Sequence, residues 1–131
     1  MKDSAMNQIS PQLVTGTVGE LLLQLRLLQF GVQAAAPIKD SGNDLIAVRR
    51  HVFRAIQVKT VSGKTYGVQD LPEFYHILAV VGLVGDGASL HLDRSRIFLI
   101  PKGQVPMAPR QISRIDHFAL SGQLIDALFP L

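Results

Sequence analysis

The chain has 131 residues, the size of one domain, and its 47% hydrophobic residues are enough for a substantial core. Its apolar runs are far shorter than the roughly 18 residues of a transmembrane helix, and the absence of cysteine excludes thiol catalysis and thiolate metal sites. Lys and Arg number 13 against 10 Asp and Glu, so the net charge of +3 permits an anionic partner such as DNA without requiring one.

Mean hydropathy is +0.25, which is high for a small monomer because its surface is too large to hide so many apolar side chains. We therefore expect a homo-oligomer, either a dimer or a tetramer. The N-terminus has no apolar secretory core, so we expect a cytoplasmic protein without a membrane partner. Residues 1–10 are polar and unpatterned, and are interpreted as the loose leader of a single domain spanning 1–131.

The first predicted element is a helix at residues 15–30. Thr15 or Thr17 can cap its start, six leucines recur at helical spacing, and Gly31 supplies a left-handed end. Because the helix is apolar on most of its circumference, we expect most of it to be buried and Glu20 to look inward.

Two strands are predicted next, at residues 44–48 and 52–59, with a hairpin turn between them. Successive strand residues point to opposite faces of a sheet. The second strand therefore places Gln57 and Lys59 side by side on one face.

The second half of the chain predicts further strands and a closing helix. In order, these are a helical turn at 71–75, a doubly covered strand at 77–84, an Asp-Gly hairpin turn leading into 88–93, a strand at 96–100 and an amphipathic helix at 116–129. This order predicts an α/β or α+β fold, with a helix followed by a mixed four- to five-stranded sheet and flanking helices.

Several common motifs are incomplete. Gly63-Lys64-Thr65 resembles the end of a phosphate-binding loop, but Val58 occupies the position of the required earlier glycine. Gly85 and Gly87 begin a dinucleotide fingerprint whose third glycine position holds Leu90. The four histidines lack the paired spacing of zinc sites, and no serine lies in a nucleophile elbow.

A different set of side chains fits phosphodiester hydrolysis. That reaction needs an attacking water, neutralisation of the phosphate charge and help for the departing oxygen, which Mg²⁺ (or Mn²⁺) held by one or two carboxylates supplies in part. A lysine can orient or deprotonate the water. The corresponding candidates are Asp44 at a strand start, Gln57 as a second oxygen ligand, Lys59 beside it, and Glu20 on the helix.

Each candidate alone also has an ordinary structural explanation. Gln57 and Lys59 fit a solvated strand face, Asp44 follows a Ser-Gly-Asn turn, and Glu20 can extend its carboxylate to solvent. Only their joint appearance in this order favours a site.

These residues carry a resemblance. The Gly19-Glu20 helix, the 42–47 segment and Gln57-Val58-Lys59 resemble the PD-(D/E)XK nuclease superfamily, in particular its Holliday-junction resolvases and intron homing endonucleases. The similarity covers about residues 14–101. It implies a restriction-endonuclease-like core, and a metal-dependent endonuclease that hydrolyses phosphodiester bonds in duplex or branched DNA.

The resemblance also implies roles. Glu20 and Asp44 would be metal-associated carboxylates, Gln57 would occupy the acidic position of the motif, and Lys59 would be the catalytic lysine. Gln57 departs from the pattern, because a neutral amide oxygen is a poorer Mg²⁺ ligand than a carboxylate. The alternative is therefore a catalytically inactive DNA-binding or protein-interaction module, and a domain unrelated to nucleic acid stays open as a third reading.

A cluster of basic residues is the candidate DNA-binding surface. It comprises Arg49, Arg50 and Arg54 around the predicted hairpin, together with Lys64. A solvated hairpin tip explains the same residues equally well.

Overall fold

The computed structural model describes residues 9–39, 42–85 and 89–131. A long first helix is followed by five strands and a short last helix. The elements are α1 (Pro11–Leu28), β1 (Gln33–Ala35), β2 (Leu45–Arg49), β3 (Val52–Val61), β4 (Ile77–Gly82), β5 (Arg96–Pro101) and α2 (Gly122–Leu128), with 3₁₀ turns at Lys102–Gln104, Ile112–Arg114 and Asp116–Phe118.

The five strands form one mixed sheet in the order β1-β2-β3-β4-β5. β3 and β4 are parallel, and the other neighbours are antiparallel. Both faces of the sheet are covered, because alternate residues of β4 enter two separate cores, and β4 is buried on both sides as its apolar run predicts. The predicted mixed sheet with flanking helices is therefore confirmed.

The start of α1 differs from its prediction. Ser10 is the N-cap, because its side chain accepts a hydrogen bond from the Leu13 amide at 3.2 Å, and Pro11 opens the first turn. Neither Thr15 nor Thr17 is the cap, and Ser10 belongs to the helix start rather than to a loose leader. At the other end, Gly31 has φ 79° and supplies the predicted left-handed residue.

The outer face of α1 is more exposed than its composition suggests. Val14, Leu21, Leu25 and Leu28 lie on one stripe of the helix, and the three leucines are each 58% exposed. The expectation of a helix buried on most sides is therefore wrong. An apolar stripe of this kind is typical of a surface that another chain covers, but the homo-oligomer stays a prediction.

The inner face of α1 packs closely on β3. A Cβ on Gly19 would overlap the side chain of Thr60. Glycine at this position therefore lets the helix backbone approach the strand, which places Glu20 beside the second half of β3.

Three predictions from the second half of the chain need correction. Residues 71–75 form no helical turn, and residues 91–94 form a turn rather than a strand. The predicted Asp86-Gly87 turn lies outside the described residues. The last helix begins at Gly122 instead of 116, because Ala119 and Leu120 bind the edge of β5 and Ser121 then caps the helix.

In the part of the chain that the structure describes, no helix is both long and apolar enough to cross a membrane.

Candidate functional site

The site lies where β2 and β3 separate. Their last backbone pair is Leu45 with Ile56, and the Asp44 amide donates to the Ile56 carbonyl at 3.2 Å. Beyond that point, Asp44 Oδ2 accepts a hydrogen bond from the Val58 amide at 2.8 Å. The carboxylate thus satisfies a strand amide that β2 no longer reaches, so Asp44 has a structural role in addition to any chemistry.

Gln57 binds the same carboxylate oxygen. Its Nε2 donates to Asp44 Oδ2 at 2.9 Å, and the residue is only 9% exposed. The other amide atom, Oε1, is buried and has no hydrogen-bond partner among the described residues. Leaving a buried acceptor without a partner destabilises the fold, so we expect a hydrogen-bond donor or a cation to bind this oxygen.

Glu20 adds a second carboxylate to the same region. Burial raises the pKa of the Glu20 carboxyl, and the negative charge of Asp44 raises it further. Neither carboxylate forms an ion pair with a lysine or arginine within the described ranges. Two carboxylates that repel each other without a neutralising partner are typical of a cation site.

Lys59 is two residues beyond Gln57 on β3. Its Nζ donates to the Gln69 carbonyl at 2.9 Å, so the segment between β3 and β4 fixes the position of the ammonium. Lys59 and Glu20 both line a cleft of about 420 Å³ between α1 and β3. A larger cavity of about 700 Å³ contains none of the four predicted residues. The smaller cleft therefore joins Glu20 to Lys59, whereas Asp44 and Gln57 meet each other beside it and do not line it.

The donor set fits a hard divalent cation. No group of three or more His, Cys, Asp or Glu side chains suited to a metal occurs among the described residues. Mg²⁺, however, is usually held by only one or two carboxylates and keeps several waters. Both hydrogen bonds of the Asp44 side chain with described residues end on Oδ2. Asp44 Oδ1, Gln57 Oε1 and the Glu20 carboxylate are therefore the oxygen atoms that a cation could bind here.

Comparison with solved structures agrees with this architecture. A bacterial homing endonuclease, I-Ssp6803I, superposes with a TM-score of 0.59 over 90% of this chain and 92% of its own, at 14% sequence identity. The chain is similar in fold to a homing endonuclease. The predicted fold class, a nuclease-like core built on a mixed sheet, is therefore confirmed.

Sequence comparisons give no further match. No family model matches the sequence, and no curated protein matches it. At 14% identity, the likeness to I-Ssp6803I shows the fold alone.

The basic residues predicted to bind DNA do not all point to one surface. Arg49 forms an ion pair with Asp126 at 2.9 Å and donates to the Phe129 carbonyl, and Arg54 donates to the Leu128 carbonyl at 2.9 Å. These contacts hold the C-terminal end of α2, where a positive charge is favourable. Arg50 at the hairpin turn and Lys64 after β3 are exposed. DNA binding by these four residues stays a prediction.

One contact of the site has no counterpart in any sequence pattern. The Gln69 carbonyl that binds Lys59 is a backbone group, so no side-chain pattern could reveal it. The earlier start of α1, by contrast, had a readable signal, because serine followed by proline is a common helix opening. That opening adds a turn of helix to the wall of the cleft.

We expect Glu20→Gln to stabilise the metal-free protein at pH 7, by roughly 0.5 kcal/mol, the order of a partly solvated charge interaction. A raised pKa means that the folded state holds its proton more tightly than the unfolded state does. The stability that Glu20 contributes is therefore complete at pH values below the ordinary glutamate pKa. It is lost as the pH rises through the raised pKa of Glu20. Urea unfolding in chelator at pH 7 and pH 4 measures the effect.

The gain should shrink toward pH 4, below the ordinary glutamate pKa, because the raised pKa keeps Glu20 itself protonated there. A Glu20→Gln protein that is less stable than the wild type at pH 7 would contradict the inference that Glu20 and Asp44 repel each other. Glu73→Gln, an exposed glutamate on another segment, is the control.

Proposed function

We propose that the chain is a metal-dependent DNA endonuclease that hydrolyses phosphodiester bonds in duplex or branched DNA. The observation that carries the proposal is the shared contact of Asp44 Oδ2 with Gln57 Nε2 and the Val58 amide, while the buried Gln57 Oε1 atom has no partner in the described part of the chain. The nuclease-like fold supports it, because a homing endonuclease acts on DNA. Glu20 and Lys59 lie in the adjoining cleft.

Each residue then has a defined task. Asp44, Gln57 and Glu20 hold Mg²⁺ (or Mn²⁺), which when bound neutralises phosphate charge and lowers the pKa of an attacking water. Lys59 holds a positive charge beside the phosphate and orients the water through its ammonium group. The Gln69 carbonyl keeps that ammonium in place before substrate arrives.

Because the side chain at position 57 is neutral, the proposed cation site depends more strongly on Glu20 of α1. The Gln57 Nε2 atom donates a hydrogen bond to Asp44, and the Oε1 atom is the part of the amide that can bind a cation. With one carboxylate fewer than the usual pattern, the site needs Glu20 as its second anionic ligand. Glu20 is close enough to Asp44 for the two charges to interact.

The same observation favours a second candidate function. If the amide oxygen of Gln57 binds too weakly, the protein is a catalytically inactive module that binds DNA or another protein. Both functions predict the same fold, so only activity separates them.

The test is incubation of the purified chain with supercoiled, linear and four-way-junction DNA, with Mg²⁺, Mn²⁺ or chelator. The proposal predicts cleavage of at least one DNA only when the cation is present. Binding without cleavage would favour the inactive module, and neither binding nor cleavage would favour a domain unrelated to DNA. Light scattering of the same sample checks the predicted homo-oligomer.

A further inference from the structure

The cleft beside Lys59 has a wall that the proposed chemistry does not use. The first half of α1 forms this wall with Gln12, Thr15 and Gly16, and the second half of β3 faces it with Lys59 and Thr60. Positions 12, 15, 16 and 20 are spaced so that all four lie on one face of the helix. The wall is therefore continuous with Glu20.

Gly16 makes an indentation in this wall. A Cβ at this position would meet no atom within 4 Å. Glycine is among the poorest helix formers, and α1 contains two glycines. Gly19 is explained by its close approach to Thr60, whereas nothing in the packing requires glycine at 16. The open space at Gly16 therefore lets a ligand approach the helix backbone at this point of the cleft.

The polar atoms along the wall suit a phosphate backbone. Gln12 has an amide and Thr15 a hydroxyl, and neither side chain forms a hydrogen bond with a described residue. Glutamine and threonine are common partners of phosphate oxygens. A cleft of about 420 Å³ has the size of a small-ligand pocket, so it admits part of one strand rather than a whole duplex.

We propose that the α1 wall, defined as Gln12, Thr15 and Gly16, binds the DNA strand that is cut, at the nucleotide next to the scissile phosphate. Gly16 gives room to the sugar-phosphate backbone, and Gln12 and Thr15 donate hydrogen bonds to a phosphate oxygen. The proposal rests on the proposed endonuclease function, because it places the substrate of that same site.

Gly16→Leu tests the indentation. Leucine favours a helix and fills the open space, so the variant should fold and melt at or above the wild-type temperature. Its KM for DNA should rise roughly tenfold or more, while Mn²⁺ binding is unchanged. Gly103→Leu, on a surface glycine outside the cleft that also has no atom within 4 Å of a Cβ, is the matched control and should keep the wild-type KM.

Gln12→Ala combined with Thr15→Val tests the hydrogen bonds independently of the steric effect. KM should rise about threefold to tenfold at constant kcat, the loss expected for one or two net hydrogen bonds. A wild-type KM in either the leucine or the double variant would overturn the proposal and leave the endonuclease standing. Failure of the wild type itself to cleave any DNA would instead overturn the proposed function.

Discussion

Replacing Lys59 with alanine is expected to lower the rate of DNA cleavage by roughly 10²- to 10⁴-fold, the range for loss of a general base or a charged group that stabilises the transition state. Lys59 is the basic residue that lines the same cleft as Glu20, and its ammonium donates a hydrogen bond to the Gln69 carbonyl. Single-turnover cleavage of a labelled DNA measures the loss.

The fold and the cation site should survive this change. Lys59 is half-buried and donates one hydrogen bond to a backbone carbonyl; it forms no ion pair with a described residue, so melting temperature and Mn²⁺ binding should stay close to the wild type. Lys39→Ala removes the same charge from an exposed position after β1 and should cleave normally. If Lys59→Ala cleaved DNA at the wild-type rate, Lys59 would have no role in the cleavage reaction.

Replacing Asp44 with alanine is expected to affect both stability and activity. The change leaves the Val58 amide and the Gln57 Nε2 atom without their acceptor, and an unsatisfied buried donor costs about 1–3 kcal/mol. It also removes a carboxylate from the proposed cation site. Urea unfolding and a cleavage assay measure the two losses.

Asp44→Asn separates the two effects. Its amide oxygen can still accept from the Val58 amide, so most of the stability should return, while the lost negative charge should keep cation binding and cleavage weak. An Asp44→Asn protein that cleaves DNA as fast as the wild type would show that Asp44 serves the fold alone. That outcome would favour the interpretation of Asp44 as turn chemistry.

Hydrophobic patterning predicted the sheet well, because its signal is local. The apolar run at 77–84 indicated a strand covered on both faces, and β4 is such a strand. Alternation in β3 separated Ile56 and Val58, which pack in the core against α1, from Gln57 and Lys59. The strands and their apolar faces therefore follow from the local pattern, whereas the parallel pairing of β3 with β4 is seen only in the structure.

The start of the last helix and the partners of the basic residues did not follow from the sequence, because they depend on contacts between distant parts of the chain. The last helix begins late because residues 119–120 bind β5, and Arg49 and Arg54 reach the end of α2 across more than 70 residues of chain. Such partners depend on the tertiary fold, which local patterns do not encode. The same holds for the Gln69 carbonyl at Lys59, and for the open space at Gly16.

The central claim is that Glu20, Asp44 and Gln57 bind a divalent cation beside Lys59. Calorimetric titration of chelator-treated protein with Mn²⁺ tests it most directly, in the wild type and in Asp44→Asn. We predict saturable binding of Mn²⁺ to the wild type at pH 7 that weakens as pH falls toward 5, since Glu20 must lose its proton to bind, and no saturable binding to Asp44→Asn. Wild-type protein that binds no Mn²⁺, or Asp44→Asn that binds it equally well, would contradict the claim.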